Sequence, residues 1–171
     1  YEEFKKLIDW EALEGFRKRA LNPEDPCTRG TAQNPDIFFQ AKEAGNVYYE
    51  GLAEVVKGYM DEISKVTGRE YKPFNYYGSP DAENVIIAMG SVTETIKEVI
   101  DYLRGKGEKV GLVSVHLYRP FSAKYLLEVL PGSVKRIAVL DRTKEPGAGG
   151  EPLYLDVKNV FYNMSNAPLI V

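Results

Sequence analysis

Apolar residues along this chain change their repeat three times. Near the start, Trp10, Leu13 and Phe16 fall at helical spacing behind Asp9, a residue suited to cap a helix. That pattern stops at Asn22-Pro23-Glu24-Asp25-Pro26, a proline-rich breaker, and the polar run 28–33 follows as a loop. From Asn34 onward, Ile37, Ala41, Ala44, Tyr48, Leu52, Val55, Tyr59, Ile63 and Val66 recur three and four residues apart. This predicts one long amphipathic helix over 34–67, with Asn34 as N-cap, Pro35 at the first position and Gly68 ready to end it. Gly45, Gly51 and Gly58 weaken such a helix intrinsically, so a packing surface has to support it. Its stripe reads as core-facing, with a subunit-contact helix as the alternative.

Beyond residue 70 the pattern is different. The stretch 71–81 is aromatic, contains prolines and suits either an edge strand or a surface cover. Asn84 to Met89 is apolar on both faces, as a buried strand is, and a helix is expected over 93–103 with Val92, Ile96, Val99, Ile100 and Leu103 inward. Strands over 109–116, 136–140 and 169–171 then alternate with helices over 123–130 and 153–164. Strand–helix alternation with short connections predicts βαβ units and right-handed crossovers. The expected fold class is α/β: a three-layer α/β/α domain on a mostly parallel sheet, preceded by the long amphipathic helix. The expected organisation is a connector over 1–33 and a core domain over 34–171, with its βα units over 84–171.

Composition narrows the function. With 171 residues, 44% hydrophobic and 27% charged, the chain can build a core without metal or disulfide. A net charge of -3 gives no footprint for nucleic acid, and no apolar run approaches the length of a membrane span. One cysteine, Cys27, and one histidine, His116, leave no donor set for zinc or an iron–sulfur cluster, and a reducing cytoplasmic setting is the default. The chain starts on Tyr1 and stops inside a strand-like run, so it reads as an excised segment.

Three stretches could carry chemistry. In Gly90-Ser91-Val92-Thr93-Glu94 a glycine leaves the strand, and Ser91 and Glu94 have capping-box spacing. The same turn would present backbone N–H groups to an anion. The stretch 140–152 follows a parallel strand, where open α/β sheets place ligands; Arg142 and Lys144 supply charge, and Gly147, Gly149 and Gly150 permit close approach. The alternative is a surface loop whose charges pair with one another. The third is 116–121, where Arg119 is the binding candidate. No GxGxxG, GxxxxGK[ST], Cys-x-x-Cys or Gly-Asp-Gly motif is present, and no catalytic residue is assigned.

Four segments, taken in order, resemble the pyruvate:ferredoxin (flavodoxin) oxidoreductases: 28–40 (TRGTAQNPDIFFQ), 88–95 (AMGSVTET), 115–121 (VHLYRPF) and 138–147 (AVLDRTKEPG). The resemblance implies a second core domain similar to the C-terminal domain of transketolases, cut from a large enzyme. That enzyme would decarboxylate pyruvate oxidatively to acetyl-CoA, using thiamine diphosphate with magnesium, iron–sulfur clusters and coenzyme A, with ferredoxin or flavodoxin as electron partner. It further implies that this piece packs against other domains, holds no cofactor itself and is inactive alone. The family pattern continues past Val171 with a Gly-Arg-rich segment that this chain lacks. Gly90, Ser91, Arg119, Arg142 and Lys144 are then the candidate cofactor-binding residues, and Arg29, Thr31, Gln33 and Asn34 the candidate interdomain contacts. No metal site, nucleic-acid partner or membrane contact is expected, and apolar surface exposed by excision should give weak self-association or a weak homodimer. The competing reading is a free-standing anion- or nucleotide-binding α/β module. A protein-interaction adaptor built on the long helix and the tyrosines of 71–77 is a third.

Overall fold

A computed structural model describes residues 1–28, 30 and 32–171. The chain divides into two compact units, Tyr1–Glu70 and Tyr71–Val171. The helical stretch lies in the first unit and the βα units in the second.

In the first unit, α1 (Glu2–Lys5) is followed by α2 (Trp10–Lys18), which Asp9 caps by accepting the Ala12 N–H at 2.9 Å. Trp10 and Phe16, two of its apolar positions, are 56% and 67% exposed. The single helix expected over 34–67 is three: α3 (Pro35–Glu43), α4 (Asn46–Glu50) and α5 (Leu52–Thr67). The breaks fall at Gly45 and Gly51, where glycine gives up the most backbone entropy to remain helical. Pro35 occupies the first turn of α3 as expected, but Asn34 caps with its carbonyl only and makes no side-chain bond. Gly68 ends α5 in the left-handed region at φ 70°, donating to Ser64 O at 2.9 Å. The half-buried face of α5 runs through Val56, Met60 and Ile63, leaving Val55 and Tyr59 of the expected stripe outward.

The second unit is α/β. Strands β1 (Phe74–Gly78), β2 (Asn84–Ala88), β3 (Val110–Val115), β4 (Arg136–Leu140) and β5 (Leu169–Ile170) form one sheet in the order β1-β3-β2-β4-β5. The four strands β2 to β5 are mutually parallel, while β1 runs antiparallel along β3 as an edge. Of the two readings left open for 71–81, the edge strand is the one formed. Gly111 is required opposite it, because a Cβ there would collide with the Tyr76 ring. Three helices cover the sheet: α6 (Val92–Arg104), α7 (Ala123–Val129) and α8 (Pro152–Phe161).

Alternate residues face opposite layers, and both layers are visible in the burial. Ile96 and Ile100 of α6 pack on Ala88 and Leu112, with Tyr77, Ile86 and Val110 beside them. The other pleat carries Val85, Ile87, Val113 and Ile137, each at most 2% exposed, under Leu126 of α7 and Leu153 and Val157 of α8. Burying these branched side chains supplies roughly 1.5–3 kcal/mol each and fixes the strand register, since a slip of one residue would invert every face.

Candidate functional site

The parallel strands decide where a site can lie. Val85 pairs with Ile137 and Ala88 with Leu140, so β2 and β4 are neighbours and their following loops leave the same edge. The Gly90-Ser91 turn after β2, the 116–121 loop after β3 and the 141–150 loop after β4 all rise from the carboxyl ends of the strands. This is the edge at which open α/β sheets bind ligands.

The turn after β2 is closed by its own chain. Gly90 takes φ 82° and lets β2 turn sharply into α6. The expected capping box does not form: Ser91 sits in the helical region and makes no side-chain cap bond. Instead the Thr93 hydroxyl donates to Gly90 O at 2.8 Å, and Glu94 pairs with Lys97 at 2.7 Å. The Thr93 and Glu94 N–H groups bond back to Gly90 O and Ser91 O.

The loop after β4 is tied down by carboxylates to which the sequence reading gave no role. Asp141 accepts from the Leu153 and Tyr154 N–H groups at 3.2 and 3.0 Å, so it holds the N-terminus of α8 that an anion would otherwise use. Lys144 pairs with Glu151 at 2.8 Å, and that hydrogen bond, with partial desolvation opposing it, holds the Glu151 carboxyl below its ordinary pKa. A cleft of about 490 Å³ lies between Val139, Lys144, Gly150, Glu151 and Tyr154. Gly150 is needed there because a Cβ would strike the Tyr154 ring.

Arg119, after β3, stacks 3.9 Å over the Tyr118 ring and bonds the Tyr118 hydroxyl at 3.0 Å. Its guanidinium also lies 2.7 Å from Asp156 Oδ2 on α8. That contact is an ion pair without the direction of a hydrogen bond, since Oδ2 accepts none. His116, exposed at the end of β3, is held below its ordinary pKa by partial desolvation of its ring and by the charge of Lys97.

Of the five candidates, only Lys144 lines the cleft. Gly90, Ser91 and Arg119 are engaged with their own surroundings, and Arg142 is exposed. Among the expected interdomain residues Gln33 and Asn34 are exposed, while Arg29 and Thr31 lie outside the described residues. Asp141 is twelve positions from the first N–H it caps and Asp156 is thirty-seven from Arg119, so no local motif announces either.

These residues fall within a match to a family model. Residues 82–171 match the model described as "Pyruvate:ferredoxin oxidoreductase core domain II". The chain belongs to this family. The whole of it is 61% identical to a pyruvate-flavodoxin oxidoreductase of Klebsiella pneumoniae and 57% identical to a pyruvate:ferredoxin oxidoreductase of Moorella thermoacetica. A probable pyruvate-flavodoxin oxidoreductase of Escherichia coli is 59% identical over 145 residues, 85% of this chain and 12% of that protein. The chain spans about 15% of the length of the first two relatives. A solved structure, of a 2-oxoglutarate:ferredoxin oxidoreductase from Magnetococcus marinus with 2-oxoglutarate, coenzyme A and succinyl-CoA bound, aligns with 64% of this chain and 18% of its own at 18% identity and a TM-score of 0.41.

For a core domain II, the donor set matters. Among the described residues no group of three His, Cys, Asp or Glu side chains could hold a metal ion, and the lone Cys27 is exposed. The residues present do not fit an iron–sulfur cluster or a magnesium diphosphate. The cleft pairs its lysine with Glu151 and adds Asp141, a poor seat for the phosphates of coenzyme A. Among the described residues no helix is long and apolar enough to cross a membrane.

Proposed function

We propose that this chain is a structural, interdomain-contact domain of a cytoplasmic enzyme that oxidatively decarboxylates pyruvate to acetyl-CoA and passes electrons to ferredoxin or flavodoxin. One observation carries the non-catalytic role: at the carboxyl edge of the sheet, the anion-binding groups Lys144, Arg119 and the α8 N-terminus are engaged by the chain's own carboxylates. Asp141 caps α8, Glu151 neutralises Lys144 and Asp156 engages Arg119. Family membership and identity along the whole chain support the parent activity. In this reading, thiamine diphosphate, its magnesium, the iron–sulfur clusters and coenzyme A are held by other parts of the parent. Gly90, Ser91, Arg119, Arg142 and Lys144 then shape the edge on which a neighbouring domain rests, and Gln33 and Asn34 belong to a second contact region.

The test compares the 171-residue chain with the full-length enzyme. Supplied with pyruvate, thiamine diphosphate and coenzyme A, the chain alone should reduce a viologen dye no faster than a boiled control, while the parent turns over. Turnover by the chain alone, or a parent inert toward pyruvate, would refute the reading.

A further inference from the structure

The two faces of the sheet are not covered alike. The crossover β2–α6–β3 runs toward the β1 edge, whereas β3–α7–β4 and β4–α8–β5 run the other way. With right-handed crossovers this puts α6 alone on one face and α7 with α8 on the other. Accordingly Val85, Ile87 and Ile137 are sealed beneath α7 and α8, yet the opposite pleat opens toward β5. There Leu140 is 43%, Leu169 62% and Val171 63% exposed, and Val99 on the near side of α6 is 48% exposed. Along this pleat, between Val99 and Val171, runs an apolar groove of about 300 Å³, floored by Ile86 and Ala138, walled by Val99 and Leu103, with Val171 at its outer side and Arg136 on its rim.

We propose that this groove seats one amphipathic α-helix contributed by the parent polypeptide from outside residues 1–171. The inference rests on the functional reading above, and three observations select the occupant. Parallel strands are buried on both faces, and in α/β folds helices do the covering, because a helix satisfies its own backbone where water is excluded. The open strip runs from Ile86, at the margin of α6 on β2, across β4 to β5, two interstrand spacings or about 10 Å, which is one helix diameter and the usual distance from a neighbouring helix such as α6. The chain is only 15% of the length of its K. pneumoniae relative, so ample polypeptide lies outside it to supply the helix. Arg136 on the rim sets an acidic side chain on the occupant beside its apolar stripe.

A photo-crosslinking residue placed at Val99, or separately at Val171, of the full-length enzyme reads the occupant directly. Both positions are exposed here, so neither substitution disturbs the core. Irradiation followed by peptide mass spectrometry should give, from both sites, adducts on one segment outside residues 1–171, with acceptors three and four residues apart. Adducts within residues 1–171, adducts to a second copy, acceptors two apart as on a strand, or no protein adduct would each overturn the proposal. A dye-reduction assay on the same preparations separates the two readings. Inactivity toward pyruvate with the expected adducts sinks the functional reading alone, and full activity without them sinks the helix alone.

Discussion

Asp141 Oδ2 accepts the Tyr154 N–H at 3.0 Å, across the whole glycine-rich loop that separates β4 from α8. One carboxylate thus closes the loop and offsets the positive end of the α8 dipole. Its removal should resemble the loss of an N-cap. Asp141→Ala is expected to cost about 1–2 kcal/mol in urea unfolding, and Asp141→Asn less, because the amide oxygen still accepts one N–H. An Asp141→Ala variant as stable as wild type would show that the loop is held elsewhere.

Tyr76, paired with Val113 in the β1–β3 register, lays its ring diagonally over Gly111 with no room for a methyl group between them. Gly111→Ala should therefore lose about 1–3 kcal/mol by overpacking. In a double-mutant cycle, Tyr76→Ala should recover much of that loss. Additive effects would mean that the strain is not in this pair.

Gly58 lies inside α5 with no atom within 4 Å of the position a Cβ would take. Replacing it with alanine should raise the helical signal in circular dichroism and stabilise the chain by about 0.5–1 kcal/mol. A drop in stability would mean that the α5 surface is closely packed at that point.

The pH dependence of the Lys144–Glu151 pair has a definite sign. Glu151 titrates below its ordinary value in the folded chain, chiefly through its hydrogen bond to Lys144. Its contribution is present in full above the ordinary glutamate pKa, about 4.3, and fades as pH falls through the folded value. Glu151→Gln should differ from wild type in thermal unfolding at pH 7 and converge with it in strong acid. A constant gap across that range would exclude the linkage.

Tyr77 provides the alkaline counterpart, since its hydroxyl donates to Asp101 Oδ2 at 2.7 Å and ties β1 to α6. That bond, then partial desolvation, raises the phenol above its ordinary pKa. The stabilisation holds below about pH 10 and disappears as pH rises through the folded value. The gap between Tyr77→Phe and wild type in chemical unfolding should close there and remain open at neutral pH.

Strand–helix alternation was readable because Asn84–Ala88 and Val110–Val115 are apolar on both faces and each is followed by an amphipathic repeat. The antiparallel turn of β1 was not readable, because it depends on Gly111 lying under Tyr76, a contact across thirty-five positions. The three-way division of 34–67 was present as Gly45 and Gly51, but the apolar repeat running through both masked it. At the carboxyl edge, Arg119, Arg142 and Lys144 lie on loops that the strand–helix alternation sends to one end of the sheet. Spacing along the chain does not show that Glu151 and Asp156 reach Lys144 and Arg119 first, or that Asp141 takes the α8 N–H groups, since the packing of α8 decides which partner wins.

The last strand is two residues long, yet it closes one side of β4: Leu169 N–H reaches Lys135 O, Val171 N–H reaches Ile137 O, and Val139 N–H reaches Val171 O. Trimming or proteolytic nicking ahead of Leu169 would strip these partners and turn β4 into a bare ribbon of backbone donors and acceptors. Bare edges of that kind template pairing between chains. Residues 169–171 thus keep the outer edge of β4 from pairing with another chain.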